Sequence, residues 1–312
     1  MFQYTVRRVL ELIPILIGVS FLTFMMLHLS PGDPATLIGG PTASAEEIAS
    51  IRQRLNLDEP LLRQYGTFLL NLSRGDLGES VQRREKVWDM IAARLPNTAV
   101  LAVTSLLVTL LGIPLGVWAA TRPNSITDLA LMNVSLLGVS IPNFWLGIML
   151  IIYFSVDLAW FPAAGYARPF WSAEGLKSLV LPAITLGTAG TALIARLTRA
   201  GMLEILGQDY VRTARAKGLS ERRVLFRHAL RNTMIPVLTV LGLNFGALLG
   251  GAVVTESVFA INGVGRLAVD SILSRDYAIV QGTVVLIATI FVLVNLLVDL
   301  LYALVNPRIR YA

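Results

Sequence analysis

The residue types that carry catalysis in other proteins are scarce in this chain. Its 312 residues include no cysteine and only two histidines, His28 and His228, far apart in sequence. Thiolate chemistry, disulfides and cysteine-ligated metals are therefore excluded, and a histidine metal site is not expected. None of the three lysines, Lys86, Lys177 and Lys217, follows a glycine, so the chain lacks the phosphate-binding loop of P-loop ATPases. The composition predicts that the chain is not an enzyme and holds no metal or cofactor of its own.

The sequence concentrates its functional residues in a basic stretch from Tyr210 to Arg231. The run 209–217 contains no helix breaker, and Gly218 is suited to end a helix because glycine adopts the left-handed conformation common at helix C-termini. Ser220 then stands where an N-cap is expected, and Glu221 falls in the first turn of a second helix. The sequence therefore predicts two helices joined by a glycine turn.

The second predicted helix has a charged side and an apolar side. Arginines recur at four-residue spacing on the charged side, at Arg223, Arg227 and Arg231. On another side lie Val224, Leu225 and the ring of His228. Positive charge that only anchors a cytoplasmic loop explains the arginines but not the glycine turn or the apolar side. An amphipathic helix of this kind usually packs on a partner or on the lipid surface, and a DNA-reading helix–turn–helix is disfavoured because apolar segments follow at both ends.

Charged residues are almost absent from the apolar segments of the chain. Glu11 and Asp299 stand near segment ends, and Glu256 stands near the end of another. Because a buried charge in a bilayer is costly and often functional, we expect Glu256 to make a helix-end contact or to contribute to a substrate path. Asn143 and Asn244 are uncharged polar residues within such segments, and they line a polar passage or hydrogen-bond between helices. A proton relay needs several charged groups in mid-span, which this sequence lacks.

Composition places the chain in a membrane. Hydrophobic residues make up 55% and charged residues 15%, whereas soluble chains carry roughly 25% charged residues. Six apolar segments reach the length of about 17–25 residues that crosses a bilayer as a helix. They are Val9–Leu29, Thr98–Ala120, Leu129–Phe154, Leu179–Leu197, Ile235–Phe259 and Val280–Val305. The predicted fold class is all-α, a polytopic bundle of six transmembrane helices.

The distribution of lysine and arginine predicts that both termini lie in the cytoplasm, together with the basic loop. Residues 30–97 then lie outside, because acidic residues balance their positive charge and long loops cross regardless of charge. This segment is expected to form a small external helical region, with one helix over Ala45–Leu55 and Ser44 or Thr42 near its N-cap. The predicted divisions are 1–29, 30–97 and a five-helix core at 98–312 with a cytoplasmic loop at 200–234.

Several short motifs add a family resemblance to these patterns. They are His28–Pro34 (HLSPGDP), Arg212–Ser220 (RTARAKGLS), Arg227–Asn232 (RHALRN), Gly263–Arg266 (GVGR), Arg275–Tyr277 (RDY) and Asn306–Tyr311 (NPRIRY). With them the chain resembles, over nearly its whole length, the permease subunits of binding-protein-dependent ABC importers. The likeness is closest to B-type permeases of the dipeptide, oligopeptide and nickel branch.

The basic stretch resembles the "EAA" loop of that family, which docks on a cytoplasmic ATPase subunit. Ala214 and Gly218 fill the second alanine and the glycine of the family pattern, whereas Arg212 stands at its glutamate and Thr213 at its first alanine. These departures are usual for the peptide branch. The residues that we assign to ATPase coupling are Arg212, Ala214, Arg215, Gly218, Leu219, Ser220, Arg223, Val224, Leu225, Arg227 and His228.

The resemblance also implies partners and a location. The partners are a second permease subunit of the C-type, two cytoplasmic ATPase subunits that bind ATP and Mg, and a periplasmic or surface solute-binding protein, with no nucleic acid. The location is the bacterial inner membrane. Gly263 and Gly265 are expected to face the binding protein, together with residues 30–97. The expected substrates are dipeptides or other small peptides, with glutathione or a nickel complex as alternatives, and an ion-coupled secondary transporter or a non-transporting scaffold or channel as rival functions.

Overall fold

The regular structure of this chain is helical. The computed structural model describes residues 2–29, 32–40, 43–54, 56–80 and 82–305. Within these ranges no β-strand occurs, and the only extended pairing is an isolated antiparallel bridge between Glu79 and Lys86. The predicted all-α class is therefore confirmed.

The described helices are joined mostly by short connections, with longer ones at 74–86 and 158–172. They are α1 (Phe2–Leu29), α2 (Pro34–Gly39), α3 (Ala45–Arg54), α4 (Leu61–Ser73), α5 (Val87–Leu110), α6 (Gly112–Thr121), α7 (Ile126–Ser140), α8 (Asn143–Leu150), α9 (Ala173–Leu206), α10 (Asp209–Ala216), α11 (Glu221–Arg223), α12 (Arg231–Val258), α13 (Val264–Leu273) and α14 (Tyr277–Val305). Two π-helices complete the set, π1 (Ile151–Asp157) after α8 and π2 (Val224–Leu230) between α11 and α12.

Three of the described helices are long and apolar enough to cross a membrane. They cover Val87–Thr121, Ala173–Leu206 and Tyr277–Val298, and the bent pair of α7 with α8 and π1 adds a fourth if it is one span. The apolar part of α1, Leu10–Met26, is shorter. A membrane-spanning helical bundle agrees with these helices, and the count of six spans and the side of the termini stay predictions.

The predicted span Leu129–Phe154 is broken rather than continuous. α7 ends at Ser140, α8 begins at Asn143, and the two axes are bent by 105°. Pro142 causes the break, because a proline disfavours the helical conformation at the residue before it. Ile141 accordingly takes an extended conformation (φ −76°, ψ 126°).

The described residues form two compact units. The first unit contains residues 99–261 and 294–305, and α9 runs through it with neighbours on several sides. Leu181 and Leu186 of α9 pack with Leu101 and Leu248, and Ile194 packs against α12 further along. Because α9 is covered on these sides, it buries more of its surface than the other long helices.

Small residues let α9 approach its neighbours. A Cβ atom on Gly116 of α6 would lie 2.5 Å from the carbonyl oxygen of Ala195, and Gly112 meets the backbone of Thr191 as closely. The two glycines are one turn apart and face α9 together, as the four-residue spacing of small residues in the sequence indicates.

The second unit contains the described residues of 2–98 and 262–293. Its α3 starts with a reciprocal cap, because the Ser44 N–H donates to Glu47 at 2.9 Å and the Glu47 N–H donates to the Ser44 hydroxyl at 3.2 Å. The prediction for Ser44 is confirmed, and Thr42 lies outside the described residues. α5 begins at Val87, earlier than the predicted Thr98, and packs there with Leu267 of α13. The division of the chain at 97/98 stays a prediction.

Replacing Gly116 with alanine is expected to lower the thermal stability of the detergent-solubilised protein. The added methyl group meets the Ala195 carbonyl, and overpacking of this kind costs about 1–3 kcal/mol. Size-exclusion chromatography after stepwise heating measures the midpoint. The control is Gly66→Ala in α4, where nothing lies within 4 Å of the new atom. An unchanged midpoint for Gly116→Ala would show that α6 and α9 are not in close contact.

Candidate functional site

The two predicted helices joined by a glycine turn are present between α9 and α12. Residues 207–230 are called the coupling segment below. α10 ends at Ala216, and Gly218 has φ +76°, the left-handed conformation that glycine adopts without strain. The N–H of Gly218 donates to the carbonyl of Arg215 at 2.9 Å, and that of Leu219 donates to Ala214 at 3.3 Å. The glycine turn therefore forms where the sequence predicts it.

Ser220 stands at the N-cap, but its side chain makes no capping hydrogen bond. Instead, its carbonyl oxygen accepts the N–H groups of Arg223 at 2.8 Å and Val224 at 3.1 Å. Glu221 turns back across the glycine turn and pairs with Arg215, with Nη2 and Oε1 2.7 Å apart. The turn is thus closed by an ion pair rather than by the predicted serine cap.

The second helix of the segment does not end at Arg231. α11, π2 and α12 follow one another without a break, so the predicted short helix is the beginning of a helical stretch that reaches Val258. The sequence contains no breaker after Ser220 until Pro236, and a proline early in a helix is accommodated by a local change in its hydrogen bonding. Any force on the segment therefore acts directly on α12.

The apolar side of the segment is occupied by the chain itself. Val224 is fully buried with Val211 and Ala214 of α10, and Leu219 covers them. Leu225 is half-buried in a second cluster around Met202 and Ala229. The expectation that this side packs on a partner or on the lipid surface is therefore corrected, because the neighbouring helices of the chain already bury Val224 and partly bury Leu225.

The exposed side of the segment carries a charged face with one aromatic ring at its centre. Its residues line a depression of about 460 Å³, and they are Ser220, Arg222, Arg223, Phe226 and Arg227. The Phe226 side chain is 55% exposed. Phe226 and Arg222 are missing from the predicted coupling residues. Phe226 stands three positions after Arg223 and four positions after Arg222, and such spacings place residues on the same side of a helix.

The remaining predicted coupling residues surround this face. Arg212 and Arg215 are exposed on α10, and His228 is half-buried. The first turn of α12 is tied to α10, since the Asn232 amide donates to the Tyr210 hydroxyl at 2.8 Å. The two helices are thus held together on their polar side as well as by their buried apolar side.

The electrostatics of the turn follow from its ion pair. The hydrogen bonds from Arg215 lower the pKa of Glu221 from its ordinary value, and the same bonds raise the pKa of Arg215. Both side chains are therefore charged near neutral pH, and the turn holds one compensated ion pair beside the arginines of the charged face.

The structure does not bring the three predicted path residues into one site. Asn143 begins α8 and is half-buried, whereas the Asn244 amide donates to the Val240 carbonyl of its own helix at 2.9 Å. Glu256 is fully buried and stands twelve positions after Asn244 on α12, about 18 Å further along the axis. A role for each in a substrate path stays a prediction.

Tyr166 is a polar neighbour of Glu256 that sequence patterns did not single out. It lies in the loop between π1 and α9, where burial and the negative charge of Glu256 both raise the pKa of its phenol. Its hydroxyl is buried without a hydrogen-bond partner in the described chain. The adjoining Gly165 N–H donates to the Phe259 carbonyl at 2.8 Å, which attaches this loop to the end of α12.

The other predicted residues lie in the second unit. Gly263 precedes α13 and Gly265 lies in its first turn, and both are buried. Their exposed neighbour is Asn262, whose carbonyl accepts the Asn97 amide at 2.7 Å. The assignment of the two glycines to a binding-protein contact stays a prediction. Across the described part of the chain, no three His, Asp or Glu side chains are arranged to hold a metal ion.

Comparisons with known proteins agree with this architecture. The model of the family described as "binding-protein-dependent transport system inner membrane component" matches residues 112–311, and that of its N-terminal membrane component matches residues 1–102. The chain is 46% identical to the glutathione transport system permease protein GsiC of Escherichia coli (strain K12) over 312 residues, 100% of both chains. It is 48% identical to a putative peptide transport system permease protein of Brucella abortus (strain 2308) over 307 residues, 98% of each.

A solved structure supports the fold independently. An inward-facing form of the MetNI methionine ABC transporter superposes with a TM-score of 0.57 at 18% identity, covering 70% of this chain and 96% of the other. At this identity the likeness concerns the fold alone.

The glycine turn is expected to loosen in acid. The folded-state pKa of Glu221 is lowered by its pair with Arg215, so this pair stabilises the turn at pH values above the ordinary pKa of 4.5. The contribution is lost as the pH falls below 4.5 and through the folded-state pKa. Hydrogen exchange of the amides at 218–224, corrected for intrinsic rates, should show protection falling below about pH 4.5.

The matched variants are Glu221→Gln, which should abolish this pH dependence, and Asp209→Asn, which should retain it. An identical pH profile for Glu221→Gln and the parent chain would contradict the role of the pair.

Proposed function

Because the chain belongs to the family of binding-protein-dependent transport system inner membrane components, we propose that it is a permease subunit of an ATP-driven importer for small peptides. The observation that carries the substrate class is the full-length identity of 46% and 48% to glutathione and peptide permeases. Its location is the inner membrane, which agrees with the family and with the apolar helices.

The chain itself forms one half of the translocation path and hydrolyses no ATP. ATP and Mg bind to two cytoplasmic ATPase subunits, a C-type permease supplies the other half, and a periplasmic or surface solute-binding protein delivers the substrate. The predicted absence of a phosphate-binding loop, argued from the lysine positions, supports this division of labour.

The charged face of the coupling segment is the docking surface for an ATPase subunit. An exposed aromatic ring among arginines has the composition of a binding hot spot, since aromatic and arginine side chains dominate interface energetics. Phe226 provides the apolar anchor, and Arg222, Arg223 and Arg227 around it provide charge for an acidic groove. The buried residues Val224 and Ala214 act indirectly, by holding this face in shape.

Movement of the ATPase subunits reaches the membrane helices through rigid elements. The docking surface continues into α12 without a break, and Gly201 of α9 packs against Thr233 near the start of α12. A displacement of the charged face therefore moves α12 and α9 together. Asn143, Asn244 and Glu256 are proposed to line the path that this movement opens and closes, and residues 30–97 with Gly263 and Gly265 are proposed to meet the binding protein.

Transport should depend on ATP and on all partner subunits. The complete importer, reconstituted in proteoliposomes with its binding protein outside, is expected to accumulate labelled glutathione or a labelled tripeptide when ATP and Mg are enclosed. An ATPase subunit with its catalytic glutamate replaced by glutamine is the matched control, and it should abolish uptake. Uptake by this permease alone under an ion gradient would instead identify a secondary transporter.

Removing the anchor should separate the permease from its ATPase. Phe226→Asp is expected to cost about 2 kcal/mol or more of binding free energy, as hot-spot residues do, and to reduce the ATPase that co-purifies with the membrane complex. Quantitative gel densitometry after affinity purification measures the ratio of subunits.

Two controls separate docking from folding. Leu62→Asp changes a residue that is 86% exposed on α4, and it should leave the ratio unchanged. Val224→Asp changes a buried residue and should instead lower the yield of folded permease. A normal ATPase ratio for Phe226→Asp combined with Arg227→Glu would refute the docking surface.

A further inference from the structure

An ion pair between a buried carboxylate and a partly exposed guanidinium joins α7 to α9. Asp128 is fully buried, and its carboxylate receives two hydrogen bonds from the Arg199 guanidinium, with Nη2 and Oδ2 2.6 Å apart. The Asn124 N–H donates to the same carboxylate at 2.9 Å, and the Ser125 hydroxyl accepts the Asp128 N–H at 3.2 Å. The carboxylate therefore fixes the start of α7, the turn before it and the side chain from α9 in one arrangement.

Stability alone is a poor reason for such a pair. Burial of the Asp128 carboxylate is costly, although the Arg199 side chain stays 24% exposed, and apolar residues of similar volume often replace such a pair without loss of stability. Apolar residues do not reproduce the fixed orientation of the two side chains, because a planar guanidinium bound through two nitrogens holds its carboxylate at one distance and one angle. Asn124, with a positive φ of 60°, is held in an uncommon conformation at the same point. The arrangement is therefore suited to keep a register between α7 and α9.

On the α9 side, the pair lies next to the packing of the coupling segment. Arg199 stands one turn before Met202, which is fully buried and packs with Ala229 at the end of π2 and with Val117 and Ala120 of α6. Met202 thus forms one of the buried contacts between α9 and the helical stretch that begins with the charged face. Arg199 therefore lies within one turn of a contact between α9 and the coupling segment.

On the α7 side, the pair lies near the start of a bent pair of helices, α7 and α8. α7 runs to the break at Pro142, and α8 continues at 105°. α8 packs on the far part of α12, where a Cβ atom on Gly147 would be 3.2 Å from Val258 and 3.1 Å from Phe259. α7 and α8 therefore reach from the Asp128–Arg199 pair to the far part of α12, with the bend at Ile141 and Pro142 between them.

We propose that the Asp128–Arg199 ion pair is the joint through which displacement of the coupling segment is passed to α7 and to the break before α8. Asp128 and Arg199 are positioning residues of the transport cycle, and neither contacts the substrate or ATP. This inference rests on the importer function proposed above. The pair transmits movement because its two-point geometry keeps α7 aligned with α9 while the break absorbs the change in angle.

Spin labels on the assembled importer test the joint without knowledge of the substrate. Gln208 precedes α10 and Asp157 ends π1, and both are exposed. The chain contains no cysteine, so Gln208→Cys with Asp157→Cys places one pair of labels on it, in partner subunits freed of reactive cysteine. Double electron–electron resonance with and without ATP and Mg then measures the share of molecules that change distance, and phosphate release measures ATP hydrolysis.

In the parent complex ATP is expected to shift the distance. In Asp128→Leu with Arg199→Met the complex should assemble and hydrolyse ATP as before, whereas the ratio of responding to non-responding molecules should fall about fivefold or more, the lower end of typical couplings between sites. Arg199→Lys retains the charge but not the two-point geometry, and it should also reduce the response. This variant provides the test if the double variant fails to fold. Arg196→Met, the same change at an exposed position one turn earlier on α9, should leave the response intact.

Each outcome decides the question. A full response in Arg199→Lys or in the apolar double variant would overturn the joint while leaving the importer function in place. A parent complex that neither binds the ATPase subunits nor responds to ATP would overturn the proposed function and the joint with it. A lost response together with lost ATP hydrolysis in the variants would place the pair in ATPase docking instead, and would likewise overturn the joint.

Discussion

Helix α9 passes so close to α6 that only glycine fits between the two backbones at Gly112 and Gly116. On its other sides, Gly187 and Gly190 of α9 lie equally close to the Ser105 carbonyl and the Thr109 side chain of α5. Contacts at this distance maximise van der Waals attraction, which must hold helices together where lipid removes the hydrophobic driving force between them. Close packing of this kind opposes sliding of α9 along α5 and α6, which favours movement of these three helices together.

The coupling segment inherits its rigidity from this packing. Met202 and Ala229 join it to α9, while Val224, Val211 and Ala214 join its two short helices to each other. Because the apolar side is covered by the chain itself, the described surface of the segment that remains for a partner consists of polar and charged groups with the rings of Phe226 and Tyr210. In this arrangement the buried residues keep the fold of the coupling segment, and the exposed residues are available to contact a partner.

The buried charged residues named for the first unit lie where helices meet or end, and they do not form a series of ionisable groups along a path. Asp128 and Arg199 neutralise each other where α7 meets α9, and Glu256 is buried beside the loop that carries Tyr166. Both acids stand near helix ends, where loops and turns supply hydrogen-bond donors. A family of transporters driven by ATP has no need for the chain of ionisable groups that carries protons, and this chain is consistent with that.

The sequence by itself determined the all-helical class, the membrane setting, the glycine turn at Gly218 and the cap at Ser44, because each depends on composition or on residues a few positions apart. Pro142 stands at the break of the predicted span Leu129–Phe154, but the angle of 105° between α7 and α8 was beyond the sequence. The tertiary structure alone decided that Val224 faces inward and Phe226 outward, since both sides of that helix contain apolar side chains and only the neighbouring helices determine which is covered. It alone paired Asp128 with Arg199 across 71 positions of sequence, because such a pairing depends on how two helices pack and not on any local pattern.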